Sequence, residues 1–412
     1  MMKRMTVAVI TVALALTATA FAERRNGPHA TSTEAPRVFL LNGARLQTLR
    51  SHIASLNVSE PALEGLRRDA EEALKLSPAS VMQKSAVPPS GDRHDYMSLA
   101  PYWWRNPDTA DGLPYVRRDG ERNPESAQVP DHRNFGRLTT STHDLALAYY
   151  LFGNEAYATK ASALLRTWFL DPATRMNPNL NYGQAVRGHN DGRGAGLIET
   201  RSIAEMIDAV GLLAGSKAWT PEDQSGIKDW VAKFLSWMQN SPVGKQEAGA
   251  KNNHGTYYDV QIVSMALFVG DTELAKRIVT EASEKRVAFQ IEPDGRQPLE
   301  LARTRSFSYS MMNLGGLFKL ARLGENVGVD LWTLRTKDDR SIRKALDYLV
   351  PFAVGQSKWT DKQITAIRPA DIAPLLVIAA DKYDSPRYKE LAVKLDADIT
   401  GSLDSLLIGA HE

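Results

Sequence analysis

The chain has 412 residues, with 50 Lys and Arg against 48 Asp and Glu, a formal net charge of +2 and no cysteine. The lack of cysteine excludes disulfides and thiolate chemistry. The balanced charge, without a long single-sign block, gives no support to nucleic-acid binding.

The N-terminus reads as a targeting sequence. Lys3 and Arg4 precede an apolar stretch over residues 7–18 that is too short to span a bilayer, and Ala20-Phe21-Ala22 places small residues at both positions of an A-x-A cleavage site. The expectation is a signal peptide over residues 1–22 and a periplasmic or secreted mature chain. Residues 23–36 lack periodicity and read as a flexible leader, which leaves 37–412 as one folded domain large enough to bury a core without staples. No later apolar run is long enough for a transmembrane helix, so no membrane contact is expected after signal removal.

From residue 38 to 79 the spacing is helical, with Leu46, Leu49, Ile53 and Leu56 on one face, followed by Leu63, Leu66 and Leu74. Residues 81–126 change character. Pro, Gly, Asp and Arg dominate, and Tyr96, Tyr102, Trp103, Trp104 and Tyr115 cluster inside. A long aperiodic segment in a compact chain is functional or disordered, and so many aromatic rings fit poorly with disorder. It reads as an ordered loop whose rings either wall a cleft and stack on sugars or plug the end of a helical core.

Helical hairpins follow. Residues 144–152 end at Gly153, and a helix is expected over 155–170. Residues 198–214 end at Gly215. Thr220-Pro221-Glu222-Asp223 then opens a helix with an N-cap, Pro at the first position and acids in the first turn. Its stripe is Ile227, Trp230, Val231, Phe234, Leu235 and Met238. Residues 260–269 end at Gly270, with Asp271 as the next cap, and 308–323 end at Gly324. These four glycines lie 62, 55 and 54 residues apart, each placed as the residue just past a helix. The recurrence predicts repeated α-hairpins, continued by 342–353, 371–380 and 387–395. No stretch shows sustained period-2 alternation, so a β-sandwich is not expected. An all-α fold, an incomplete α/α toroid with inner helices lining a cleft, fits best.

The densest chemistry is Lys251-Asn252-Asn253-His254-Gly255-Thr256-Tyr257-Tyr258, immediately before the apolar run 260–269. At a helix N-terminus, backbone N–H groups and the macrodipole suit an anionic ligand. The bland alternative is a helix cap with a solvated turn. Two other segments carry cations and amides: Asn181-Tyr182-Gly183-Gln184 continuing to Arg187, Arg193 and Arg201, and Glu300 to Tyr309 with Arg303 and Arg305. Cations and rings around a cleft suit an anionic carbohydrate, since guanidinium groups bind carboxylates bidentately while rings stack on pyranoses. The eight histidines include no pair spaced to share a helix face, so no metal or other cofactor is expected. Gly192-Arg193-Gly194-Ala195-Gly196 lacks a preceding strand and reads as a flexible helix entry rather than a phosphate loop.

Asn252-Asn253-His254, Glu300-Leu301-Ala302-Arg303 leading to Tyr309, and Leu180-Asn181-Tyr182-Gly183-Gln184 resemble the signature segments of the alginate lyase family of polysaccharide lyases. The block from His94 to Trp104, continued by Gly112-Leu113-Pro114-Tyr115, is more similar to relatives that cleave β-glucuronan. The likeness runs over roughly residues 90–325 and implies an incomplete α/α toroid. It implies Asn253 and Arg303 as neutralisers of a substrate carboxylate, and His254 and Tyr309 in proton transfer. Two departures stand out: the Arg303–Tyr309 spacing is one residue shorter than in the family's alginate lyases, which leaves Arg305 as a rival neutraliser, and Gly255 stands where those enzymes carry Ser. Candidate substrate contacts are Tyr96, Trp103, Trp104, Gln184, Arg193, Arg201, Tyr258 and Arg305.

The expected activity is β-elimination on a β-1,4-linked polyuronate, glucuronan or mannuronate-rich alginate. The rivals are a toroidal glycoside hydrolase using two of Asp95, Asp191, Glu199 and Glu300, and a non-catalytic periplasmic binder of acidic glycans.

Overall fold

The structure, a computed structural model, describes residues 34–55, 61–396, 399 and 403–408. The expected signal peptide, most of the leader, and Leu56 lie outside the described residues. Residues from Glu34 onward group into one unit.

Fifteen α-helices are present among the described residues: α1 (Gly43–Ser55), α2 (Pro61–Leu74), α3 (Asp131–Phe152), α4 (Glu155–Leu165), α5 (Ile203–Leu212), α6 (Pro221–Asn240), α7 (Pro242–Ala248), α8 (Asn253–Val269), α9 (Thr272–Ala282), α10 (Pro298–Leu301), α11 (Ser306–Glu325), α12 (Ile342–Ala353), α13 (Ala373–Lys382), α14 (Pro386–Leu395) and α15 (Leu403–Ile408). Their packing separates two rings. Helices α3, α5, α8 and α11 touch one another in sequence, while α4 backs onto α3, and α6 and α9 onto α8. The burial follows the same division. Every residue of α8 from Gly255 to Phe268 is buried, whereas α9 buries only Leu274, Ala275, Val279 and Ala282. A helix apolar all round belongs inside, and one with a single stripe belongs outside. This is an α/α toroid.

The helix boundaries follow local signals. Thr220 is the expected N-cap of α6 and forms a capping box with Asp223, and Asn252 and Asp271 cap α8 and α9. Gly153, Gly215 and Gly270 take positive φ just past their helices. The fourth glycine departs from the pattern. Helix α11 runs through Gly324 to Glu325, and a Cβ on Gly324 would lie 2.5 Å from the Val329 carbonyl oxygen. Close backbone approach, rather than a left-handed cap, requires glycine there. Helix α3 also starts 13 residues earlier than its apolar spacing predicts, because Asp131, Asn134, Thr139, Ser141 and Thr142 are polar yet buried.

The loop over residues 81–126 is ordered around three short strands, β1 (Met97–Leu99), β2 (Trp103–Trp104) and β3 (Val116–Arg117). Strand β1 pairs in parallel with β4 (Tyr182–Ala185), and β2 pairs with β3 antiparallel. A buried ion pair holds the base of the loop: Lys84 Nζ lies 3.0 Å from Asp131 Oδ2 and donates to the Val81 and Arg93 carbonyls. Asp131 also accepts from the Met97 amide, which fixes β1 against α3. Burial pushes the Asp131 carboxyl up to about 6 against the pull of Lys84.

Candidate active site

Asn252 ends the incoming chain in an extended conformation and accepts the His254 amide, so α8 begins with Asn253 and His254 at its open end. These residues face a cavity of about 450 Å³ that is also lined by Tyr102, Trp103, Gln184, Arg193, Arg201, Arg303 and Tyr309. The three segments singled out in the sequence, together with the aromatic loop, therefore meet around one space.

The polar side chains of Asn253, His254, Arg303 and Tyr309 are each held by a neighbour. The Asn253 amide nitrogen donates to Glu300 Oε2 at 2.7 Å and its backbone N–H donates to Glu300 Oε1 at 2.6 Å. His254 Nδ1 lies 2.6 Å from Glu247 Oε1. A carboxylate only accepts, so Nδ1 carries the proton and a neutral ring would present Nε2 as an acceptor. Arg303 donates through Nε and Nη2 to Asp119, at 3.1 and 2.7 Å, leaving Nη1 as the guanidinium nitrogen not engaged with that carboxylate. The same guanidinium lies 3.8 Å from the centre of the Tyr309 ring. The Tyr309 hydroxyl donates to the Tyr102 hydroxyl at 2.9 Å. Burial and that hydrogen bond push the Tyr309 phenol well above its ordinary range, against the pull of the Arg303 cation. Burial likewise raises the Glu300 carboxyl, and its hydrogen bonds from Asn253 oppose the rise.

Gln184 sits at the wall with φ of 51°, a conformation that costs a non-glycine residue energy and is typical of functional sites. Its backbone N–H donates to Ser98 Oγ, and its side-chain oxygen accepts from Arg193 at 2.7 Å. Arg193 also lies 5.9 Å from the Trp103 ring centre, and burial lowers its pKa.

Four expected substrate contacts lie elsewhere. Tyr96 is fully buried and donates to Glu199 at 2.8 Å. Tyr258 is buried on α8 and donates to the Met238 carbonyl, and burial pushes its phenol up to about 12. Trp104 points off the cavity: its indole donates to the Glu121 carbonyl and Arg118 covers its ring. Arg305 donates to Thr365 Oγ1, and its backbone bridges to Gln363. Neighbouring residues face opposite ways on a strand and are turned by about 100° on a helix, a difference of direction that a resemblance by segment does not resolve. The glycine run also has a definite role. Gly196 packs on Gly183 so closely that a Cβ would lie 2.6 Å from backbone atoms, and Arg193 precedes a 3₁₀ turn over Gly194–Thr200.

Glu247 and Asp119 are supporting residues that the sequence did not single out, and Tyr102 stood out there only as one ring of the aromatic loop. Glu247 offered a faint signal, seven residues before His254 across a Gly-Ala break. Asp119 offered none, since its partner Arg303 lies 184 residues away.

The sequence pattern of the family described as alginate lyase matches residues 80–359. The chain belongs to the alginate lyase family. As a member of the alginate lyase family it is a polysaccharide lyase. The structure is similar to the crystal structure of an alginate lyase from Bacteroides ovatus, with 40% identity over 91% of this chain and 100% of that chain and a TM-score of 0.87. Alginate lyase A1-III from Sphingomonas species A1 shares the fold at 14% identity, covering 93% of this chain and 99% of that one with a TM-score of 0.57. A complex of A1-III with a tetrasaccharide gives a TM-score of 0.58 at the same identity. No curated protein sequence matches the chain.

Among the described residues no group of three or more His, Asp or Glu is placed to hold a metal ion. Three of the four carboxylates considered for hydrolysis are engaged by neighbouring side chains: Glu199 by Tyr96 and Ser98, Glu300 by Asn253, and Asp95 by Ser90, Asn177 and Asn179.

Proposed function

We propose that this lyase cleaves β-1,4-linked polyuronates, glucuronan or mannuronate-rich alginate, by β-elimination, leaving 4,5-unsaturated uronate ends. The observation that carries the reading is the convergence of Asn253, His254, Arg303 and Tyr309 on one cavity walled by further arginines. The name of the Bacteroides ovatus protein supports the polyuronate class. The signal-like N-terminus supports an exported enzyme that meets its polymer in the periplasm or outside the cell.

The reaction removes H5, alpha to the uronate carboxyl, and expels the glycosidic oxygen from C4. Because H5 is weakly acidic, stabilising the developing dianion is the largest catalytic demand. The second Nδ2 proton of Asn253 and the Nη1 edge of Arg303 supply donors and charge for it. In β-mannuronate and β-glucuronate, H5 and O4 lie on the same ring face. A single phenol, Tyr309, therefore takes H5 and returns that proton to the leaving oxygen. The phenol is neutral in the ligand-free site and bonded to Tyr102, so it must first lose its own proton. The Nε2 acceptor of His254, set by Glu247, is suited to take it, and the Arg303 cation over the ring stabilises the phenolate.

The test is digestion of a panel of glucuronan, mannuronan and guluronan, following near-ultraviolet absorbance. The expected result is an unsaturated chromophore from the first, the second or both. Guluronan, inverted at C5, presents H5 on the opposite face and should be cleaved poorly. Rapid guluronan cleavage with neither of the others touched would overturn the proposal.

A further inference from the structure

We propose that Glu300 is a positioning residue for the elimination, fixing which end of the Asn253 amide meets the substrate carboxyl; this deepens the lyase reading above and rests on it. Glu300 lies within the short helix α10 and is 1% exposed. Both of its oxygens are spent on Asn253, one on the backbone N–H and one on Nδ2. A carboxylate cannot donate, so it accepts Nδ2 and rejects Oδ1. Nothing else decides the amide's orientation, because Asn253 Oδ1 is buried without a hydrogen-bond partner among the described residues. Held this way, Nδ2 gives one proton to Glu300 and keeps the other for a ligand. Rotated by half a turn, the amide would offer only an acceptor on that side, and an acceptor repels a carboxylate and destabilises a dianion further.

A purely structural role is the alternative. The Asn253 N–H is one of the four donors left without partners at the start of α8, and Glu300 could serve simply to satisfy it. Glu300→Gln separates the two roles. Glutamine keeps the volume and one oxygen for the backbone N–H, so the helix start stays satisfied. Its amide nitrogen then faces the Asn253 side chain, donates to Oδ1, and turns Nδ2 away from its present position.

The experiment measures kcat and KM by near-ultraviolet absorbance on the polyuronate that the wild type cleaves best, for Glu300→Gln, Glu300→Asp, Asn253→Ala and the Glu300→Gln/Asn253→Ala double variant. Glu300→Gln is expected to lower kcat at least about tenfold with KM nearly unchanged and the melting temperature close to wild type. The double variant should be no slower than Asn253→Ala alone, because positioning has no value once the amide is gone. Glu300→Asp, which keeps the charge, should retain more activity than Glu300→Gln. Wild-type kcat in Glu300→Gln, or losses that multiply in the double variant, would overturn the proposal. Should Glu300→Gln not fold, the same non-additivity is read from Glu300→Asp with Asn253→Ala. If Asn253→Ala itself turns over normally, the assignment of the site is what fails, not the positioning.

Discussion

Glu247 and His254 form the pair in which a single proton position decides the chemistry. The carboxylate is buried, and its 2.6 Å contact holds the imidazole with Nδ1 protonated, so Nε2 is the nitrogen left to accept. Glu247→Gln keeps the size but can turn its amide nitrogen toward Nδ1, which stabilises the wrong tautomer. A loss of roughly a hundredfold or more in kcat is expected with little change in KM, by analogy with other carboxylate–imidazole pairs. Steady-state kinetics across pH checks this, and unchanged kcat would remove the imidazole from the proton path. Asn253, His254, Arg303 and Tyr309 were each legible in the sequence because they fall in short, distinctive segments. The contacts that orient them were not: Glu300 stood out only as a candidate hydrolytic carboxylate and Tyr102 only as one ring of the aromatic loop, while Asp119 did not stand out, because these partners lie 47, 207 and 184 residues away. Tyr96 and Tyr258 were misplaced for a related reason: an aromatic beside a polar motif can face the core as readily as the cleft.

The aromatic loop is tied to the Arg303–Thr304 segment through Asp119. Asp119 accepts from Arg303, from the Thr304 amide and hydroxyl, and from Arg117. Gly120, with φ of 77°, lies against Thr304 where a Cβ would clash. The carboxylate's pKa falls well below the ordinary range: burial opposes the fall, but the Arg303 and Thr304 hydrogen bonds outweigh it. A depressed folded-state pKa stabilises the fold above the unfolded carboxylate value, near 4, and that contribution disappears as pH falls below it. Asp119→Ala should therefore loosen the loop and Arg303 together. Faster amide exchange over residues 103–122 and a drop in kcat are expected; unchanged exchange would show that the strand pairing of β2 and β3 holds the loop alone. The loop's order was legible in its rings, since a disordered segment has no use for them. Its division into a cleft-facing Trp103 and an outward Trp104 was not, because that depends on the two-residue pairing with β3. Gly324 shows the same limit for the helices, where a glycine required by backbone contact imitates the spacing of a cap.

Across the whole molecule the inner ring carries both the site and the attachment of the N-terminal segment. Asp208, buried on α5, accepts the backbone N–H groups of Phe39, Leu40 and Leu41. Burial pushes its carboxyl up to about 7, although the three amides pull it down. A carboxyl whose folded pKa exceeds its unfolded value binds more protons in the folded state, so its contribution declines as pH rises from about 4 to about 7. Asp208→Asn should flatten that decline in denaturant unfolding while losing one acceptor; an unchanged pH slope would place the titration elsewhere. The toroid itself was legible from recurring helix–glycine spacing, because a ring of hairpins repeats its punctuation along the chain. What the ring does at its open end depends on Tyr309, on the start of inner helix α11. The most direct test is the turnover of Tyr309→Phe on glucuronan and mannuronan, read as near-ultraviolet absorbance. Removal of one hydroxyl from a ring still packed under Arg303 should lower kcat by about three orders of magnitude or more, with KM close to wild type. Near-normal turnover by the folded variant would contradict proton transfer through Tyr309.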